Sequence, residues 1–403
     1  MSNENRKWIF FSLLNAPDHC VAQKNSKAKL CKGLVYAIFK LHAIYILQLT
    51  SLLRRERKIK QYIILGSQAP HHHFNIFRFL NFNPKQGTMI HAYDKASFTS
   101  IRYIGLISLY KEFRRNFFEA RNYWMHENIS YNTEDIIRHV TASIATFSYF
   151  SLLFKSIKSS HPNINIYTGG AELASLTAIK NSLATHYISH GLLGLTGPPD
   201  GSLVEFVEIE VSDESYPGYS SIYVYSDHEK RYFSSRLHNT KIITYPFETL
   251  IDLQPIVILF FEVVDEFFDV DRFEQIVKLF KKNNFKIIAK EHPTNESKFP
   301  VEFCRDNEIE LIQEPGITAY EIIRKEQPMF TLGWPSTSLC ESLNLGVIPI
   351  CIPDHHPFFR FQNFYPFKSK TLSWGHDLLE IEALLSNHKN YDLCLARLRK
   401  NLA

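Results

Sequence analysis

A chain of 403 residues, 45% apolar and 21% charged, holds enough material for two ordinary domains with cores and falls outside the disordered class. A net charge of +4 is too small for a nucleic-acid binder, which carries a concentrated basic face, so no nucleic-acid partner is expected. Cys20, Cys31, Cys304, Cys340, Cys351 and Cys394 form no CxxC pair, which argues against a disulfide framework or a structural zinc site and suits free thiols in a reducing cytoplasm.

The opening MSNENRKWIFFSLLNAPDHC has a short apolar stretch without a small-residue cleavage site and reads as no signal peptide. Gly33 to Leu53 is almost wholly apolar and long enough to cross a bilayer. Lys40 and His42 sit in its middle, which favours a buried or interfacial helix over a span. The basic run Arg54 to Lys60 follows. It fits a solvated helix end, where cations are favoured, or contact with an anionic membrane face.

From Gln61 the pattern changes to strands alternating with helices. QYIILGSQ and GTMIHAYD read as strands, and Phe98 to Ile129 and Asp135 to Ile157 as helices. NINIYTGG is a strand ending in a glycine turn, Ala171 to Leu183 a helix, and THYISHG a strand ending at His190 and Gly191. A loop rich in Gly, Pro and acidic residues covers Leu192 to Ser220, and SIYVYS and KIITYP are short strands.

A second unit begins at Pro255 with the apolar strand PIVILFFEV, followed by the amphipathic helix DVDRFEQIVKLFKKNN with Asp269 or Asp271 as its cap. FKIIAKEHP and IELIQE are strands, ITAYEIIRK is a short helix with Thr318 in its first turn, and PMFTLG is a strand. PSTSLCESLNLG is a helix closed by Gly346, before the strand VIPICIPD. These elements divide the chain into a helical segment over 1–60, an α/β domain over 61–245 and a second over 246–403 that ends in a helix.

Ligands of open parallel sheets bind outside the carboxyl ends of the strands. Three polar groups are expected at such ends: His190, His292, and the run Ser336, Thr337, Ser338. The serine run leads into a helix, whose N-terminal N–H groups with added hydroxyls suit a phosphate, although plain N-capping uses the same residues. Glu341 completes a capping box with Ser338 or holds a ribose hydroxyl. In Lys290-Glu291-His292-Pro293 the proline fixes the backbone. There a histidine can donate to a phosphate oxygen and stabilise the charge on a departing nucleotide.

The spacing strand, HP, strand, helix, strand, STS, helix, glycine, strand resembles the C-terminal domain of the GT-B glycosyltransferases, over roughly 255–354. Within that fold it looks most like the bacterial capsule and lipopolysaccharide enzymes that use cytidine-activated donors: sialyltransferases, Kdo transferases and CDP-glycerol glycerophosphotransferases. The resemblance implies two Rossmann-like domains with a cleft between them, the domain over 61–245 taking the acceptor and that over 246–403 the donor. It places donor phosphate on His292, Ser336 and Thr337, with Ser338 beside them, while Lys290 and Glu341 are the candidates to bind the nucleotide. The implied partners are a nucleotide-activated sugar and a polysaccharide or glycolipid acceptor at the inner face of the cytoplasmic membrane, with no cofactor.

Sialyltransferases of this group carry a paired acid before glycine as the base, and here the strand end reads Ser189-His190-Gly191. His190 has an ordinary pKa near neutrality and is the first candidate base, while a structural histidine is the competing reading. Asp200 is the second candidate and Glu172 the third, and Gly66 to Gln68 would form a loop at the cleft. His71 to His73 and His355-His356 do not make a metal set, because consecutive residues rarely point at one ion. There is no DxD triplet, GxGxxG or GxxxxGK[ST], which disfavours metal-dependent GT-A enzymes, dinucleotide oxidoreductases and P-loop ATPases. Glycerophosphate transfer, UDP-GlcNAc 2-epimerisation and a non-catalytic role in polysaccharide assembly remain the alternatives to sugar transfer.

Overall fold

The computed structural model describes residues 27–52, 59–66, 76–77, 79–80, 83–91, 104–126, 134–169, 173–188, 218–224, 227–235, 237–244, 249–261, 270–291, 298–314, 317–333, 337–352 and 378–402. The chain forms two compact α/β units, each around its own parallel sheet, which is the two-domain Rossmann-like class expected.

In chain order the first half forms α1 (Lys27–Leu52), β1 (Tyr62–Gly66), β2 (Gly87–His91), α2 (Leu106–His126), α3 (Glu134–Ser160), β3 (Asn165–Thr168) and α4 (Leu173–Lys180). Then follow β4 (Ala184–Ile188), β5 (Ser221–Val224), α5 (Asp227–Ser234) and β6 (Lys241–Thr244). The six strands lie in the order β2-β1-β3-β4-β5-β6, with β1 to β5 joined by parallel pairings. Period-two alternation sends Ile63, Leu65, Ile90 and Ile166 to one face, where they are buried with Ala37, Leu41 and Ile44 of α1 and Phe147, Phe150 and Phe154 of α3.

The opposite face is aromatic and half-buried. Tyr62 meets Tyr167 edge-on at 5.9 Å, Tyr167 stacks on His186 at 4.9 Å, and Tyr223 packs on Phe79 at 4.1 Å. His186 bonds Ser221 Oγ through Nδ1 at 2.7 Å and Asn165 Oδ1 through Nε2 at 3.2 Å. Burial lowers its pKa, so the neutral ring is the form this face holds.

The second half forms β7 (Gln254–Phe261), α6 (Val270–Lys282), β8 (Lys286–Glu291), α7 (Phe299–Asp306), β9 (Glu310–Ile312), α8 (Ala319–Glu326), β10 (Pro328–Gly333), α9 (Thr337–Asn344) and β11 (Ile348–Cys351), then α10 (Leu378–Ser386) and α11 (His388–Leu402). The strand order is β11-β10-β7-β8-β9, all parallel. One face buries Val257, Leu259, Phe330 and Leu332 against Phe273, Ile276 and Phe280 of α6 and Ile381, Tyr391 and Leu398 of α10 and α11. Each such side chain contributes about 1.5–3 kcal/mol on burial. The other face packs Ile258 and Phe260 against Ile322 and Ile323 of α8 and Leu339 of α9. Tyr391 fixes α11 to β10 by donating its hydroxyl to the Met329 carbonyl at 2.8 Å.

Helix ends follow local chemistry. Thr318 is the N-cap of α8 rather than a residue of its first turn: its extended backbone and hydroxyl close a capping box with Glu321. Gly346 takes φ +86° after α9, with its N–H bonded to Leu343 O and that of Val347 to Ser342 O, a Schellman closure that favours glycine. Cys304 and Cys394 are free buried thiols, and burial pushes that of Cys304 up to about 12. No described helix is long and apolar enough to cross a membrane.

Candidate functional site

Strand order locates the place in each sheet where a ligand is favoured. In the second sheet β7 lies at the centre. The chain runs outward through β8 and β9, then returns to β10 and β11 on the other side of β7. The direction of winding reverses between β7 and β10, the place at the carboxyl edge of an open parallel sheet where a ligand is favoured.

The backbone is packed tightly at that point. A Cβ on Gly333, the last residue of β10, would lie 2.7 Å from the carbonyl oxygen of Phe260, so no side chain is accommodated. Registered neighbours in a parallel sheet share a face. One row therefore crosses the carboxyl edge as Ile312, Lys290, Phe260, Gly333 and Cys351. Two residues before Gly333, the Thr331 side chain is wholly buried and its hydroxyl has no partner among the described residues.

Lys290 is 8% exposed. Burial lowers the pKa of its ammonium, while the carboxylates of Glu291 and Glu314 oppose that shift. Glu291 is itself held by the Gln313 amide, which donates to it at 3.0 Å.

Three residues separate Gly333 from α9. Thr337 is the first residue of that helix, and Ser338 is half-buried with its carbonyl accepting from the Ser342 hydroxyl at 2.7 Å. Glu341, one turn in, is 8% exposed. Leu339, Ser342, Leu343 and Asn344 are also buried, so α9 is enclosed beyond its first turn. The far end is fastened by Arg399, which donates to Leu343 O at 3.4 Å, Asn344 O at 3.5 Å and Thr249 Oγ1 at 3.3 Å. A helix held this way presents its N-terminal N–H groups at a fixed position. These carry partial positive charge and suit an anion.

Lys290 and Glu341 are the two buried charged residues among those described, and both lie in this half of the chain. Ionised side chains are almost never enclosed unless engaged, because desolvating a charge is costly. Of the residues expected from sequence to bind the donor, the structure thus places Lys290 at the edge of β8 and Thr337, Ser338 and Glu341 on α9. His292 and Ser336 lie outside the described residues, as do His190, Asp200 and Glu172. Gly333 and Thr331 escaped the sequence reading. The one visible signal for Gly333 was a glycine closing a strand just before the serine run.

The first sheet reverses in the same way between β1 and β3. At those ends Leu65 is in register with Thr168, and Ser175 of α4 donates its hydroxyl to that of Thr168 at 3.3 Å. This bond and the buried run Ala174 to Ala178 anchor the start of α4, directly after Glu172. In the sequence His190 comes two residues after the end of β4.

No protein-family model matches the chain, and no curated protein does. Among solved structures, a glycosyltransferase from Rickettsia africae ESF-5 is similar at 10% identity over 86% of this chain and 93% of that one, with a TM-score of 0.43. Os79 from O. sativa, solved with UDP and deoxynivalenol-3-glucoside, is similar at 14% identity over 84% and 95%, with a TM-score of 0.47. The UDP-GlcNAc 2-epimerase of Methanocaldococcus jannaschii is similar at 10% identity over 85% and 93%, with a TM-score of 0.42. With TM-scores below 0.5 these likenesses decide nothing about activity, and the functional reading rests on the chain's own residues.

Proposed function

We propose that the chain is a glycosyltransferase of GT-B type. It moves a sugar from a nucleotide-activated donor to a hydroxyl of a surface polysaccharide or glycolipid, with no metal ion required. The observation that carries this reading is the burial of Lys290 and Glu341 in the unit whose sheet reverses at β7 and β10, where Gly333 leads to the start of α9. The N–H groups and hydroxyls at the start of α9 (Thr337 and Ser338, with Ser336 before it) hold the donor phosphate. Glu341 and Lys290 engage the nucleotide.

In the transfer, the bond between the anomeric carbon and the phosphate oxygen breaks with its electron pair leaving on the phosphate. His292 donates a hydrogen bond to that oxygen and stabilises its charge. The acceptor oxygen forms the new bond to the anomeric carbon, and its proton passes to a base from the domain over 61–245. His190 and Asp200 are the leading bases, with Glu172, which follows β3 in the chain, the third candidate. The cytidine-linked donors of sialyl, Kdo and glycerol-phosphate transfer are the substrate classes to try first.

Incubating the full chain with CMP-, CDP- and UDP-linked donors and following the nucleotide released tests the assignment. A thermal-shift series with the free nucleotides accompanies it. Nucleotide released together with a sugar-extended acceptor supports transfer. Release of CMP with glycerophosphate transferred moves the reaction to the glycerophosphotransferase class. Interconversion at C2 of UDP-GlcNAc moves it to the epimerases. Absence of any nucleotide-induced stabilisation leaves a non-catalytic assembly role and sinks the proposal.

A further inference from the structure

Helix α1 is apolar on both sides. Ala37, Leu41 and Ile44 are at most 1% exposed and belong to the core of the first unit. On the opposite side Val35 is 53% exposed, Phe39 71% and Ile46 56%, with Ala43 also exposed between them. These four stand at i, i+4, i+8 and i+11, one straight stripe about 16 Å long at 1.5 Å per residue. Lys40 lies off that stripe, half-buried, and His42 bonds its ring Nδ1 to the Ile38 carbonyl at 2.9 Å. A surface helix of a water-soluble domain ordinarily turns charged residues outward, so an outward apolar stripe marks a contact surface.

Charge indicates what meets it. Lys24 to Lys60 holds ten Lys and Arg against the single acid Glu56, a net of +9. The rest of the chain holds 35 Lys and Arg against 40 Asp and Glu, a net of −5, which together give the +4 of the whole. In sequence the basic residues stand on both sides of the stripe: Lys24, Lys27, Lys29 and Lys32 before it, and Arg54, Arg55, Arg57, Lys58 and Lys60 after it, of which Lys24 and Arg54 to Lys58 lie outside the described residues. The helix dipole accounts only for the second group. Cations at a helix N-terminus oppose the dipole, and the first turn of α1 carries no acid. Apolar residues between two basic clusters match an anionic bilayer surface, with acyl chains under the stripe and phosphates at the flanks. A second copy of this chain fits less well, since a two-fold contact through α1 sets the +9 of Lys24 to Lys60 against an equal charge. Crossing the bilayer is excluded for this helix, because its inner face is part of the protein core.

We propose that α1 is a membrane-surface element, lying in the interface of an anionic bilayer on its Val35, Phe39, Ala43 and Ile46 face and held there by the lysines and arginines at its two ends. This assignment is independent of the donor chemistry. Vesicle binding is read without nucleotide, so either reading can fail alone.

The test is co-sedimentation of the full chain with vesicles of phosphatidylcholine alone and of phosphatidylcholine with phosphatidylglycerol. The chain is expected to partition at least about tenfold more strongly onto the anionic vesicles, and to be released as salt shortens the screening length. The pair Phe39→Gln and Ile46→Gln, and separately Arg54→Gln with Arg55→Gln and Arg57→Gln, each lower that partition by about tenfold or more. Phe39 and Ile46 point outward, so their replacement leaves the unfolding temperature unchanged. Equal binding to both vesicle types, or none, overturns the proposal, as does undiminished binding by both sets of variants. A solution dimer that the Phe39→Gln and Ile46→Gln pair dissolves, without vesicle binding by the parent chain, overturns it in favour of a self-interface.

Discussion

The carboxyl edges of the two sheets differ in what they bury. Both sheets reverse their winding beside their first strand, β1 in one and β7 in the other. At the second reversal the structure encloses Lys290 and Glu341, presses Gly333 on the Phe260 carbonyl and fastens α9 through Arg399. At the first, the described groups are neutral: Thr168 and Ser175 share a hydroxyl hydrogen bond, and the polar row of Asn165, His186 and Ser221 lies along the half-buried aromatic face. The same topology therefore carries two different chemistries. One edge buries two charged side chains, while the other, among the described residues, holds neutral hydroxyls at its reversal and pairs its histidine along the aromatic face.

The largest expected effect lies at the second edge. On the role proposed for His292, as donor to the leaving oxygen, its replacement with Ala lowers turnover about 100- to 1000-fold, as loss of one such donor does elsewhere. The unfolding temperature stays unchanged, and steady-state turnover beside a thermal melt reads both. Near-wild-type turnover would remove His292 from the phosphate site.

Gly333→Ala comes next, because its Cβ meets backbone rather than a flexible side chain. Overpacking of this kind costs roughly 1–3 kcal/mol, and nucleotide binding should weaken with it. Denaturant unfolding and nucleotide titration measure the two losses.

Replacing Lys290 with Met sharpens the contrast through pH. The folded pKa of Lys290 is lowered, so below its ordinary value of 10.5 the unfolded chain binds more protons than the folded one. Stability from this group therefore rises as pH climbs from the folded pKa toward 10.5 and is lost on the way down. The Met variant should lose that part of the pH slope in unfolding experiments.

His186 gives the acid-side counterpart in the first unit. Its pKa is lowered from 6.5 by burial, so its contribution is present above 6.5 and falls as pH drops through 6.5 toward the folded value. His186→Gln should flatten the acid limb of the unfolding curve. An unaltered limb would mean that the ring is not held neutral on that face.

The smallest effect is expected from Thr318→Ala. Loss of the capping box of α8 costs about 1 kcal/mol, read as a small fall in unfolding midpoint with activity intact.

Much of the second unit was legible in the sequence because its periods are strong. Apolar runs such as PIVILFF and the alternation of FKIIAKE mark strands, and Gly346 marks the end of α9 through its left-handed φ. Two short helices were harder. In α5 the apolar residues, Tyr232 and Phe233, are too few to mark a helical face, and in α7 Pro300 near the start reads as a break. The neutral aromatic face of the first sheet was invisible because it depends on register: Tyr62, Tyr167 and His186 come together only when β1, β3 and β4 are aligned. The point of reversal was equally hidden, since strand order is a property of the sheet rather than of any segment. Lys290, Ser338 and Glu341 were singled out as donor candidates from the order of motifs, but the burial of the two charged ones required the fold.

Hydrogen exchange with and without nucleotide tests the central claim most directly. The full chain, saturated in turn with CMP, CDP and UDP, should gain protection centred on the carboxyl end of β8 and on residues 333–345 with at least one of them. Protection centred instead on the ends of β1 and β3, or no protection with any of the three, would contradict a nucleotide site in the second unit.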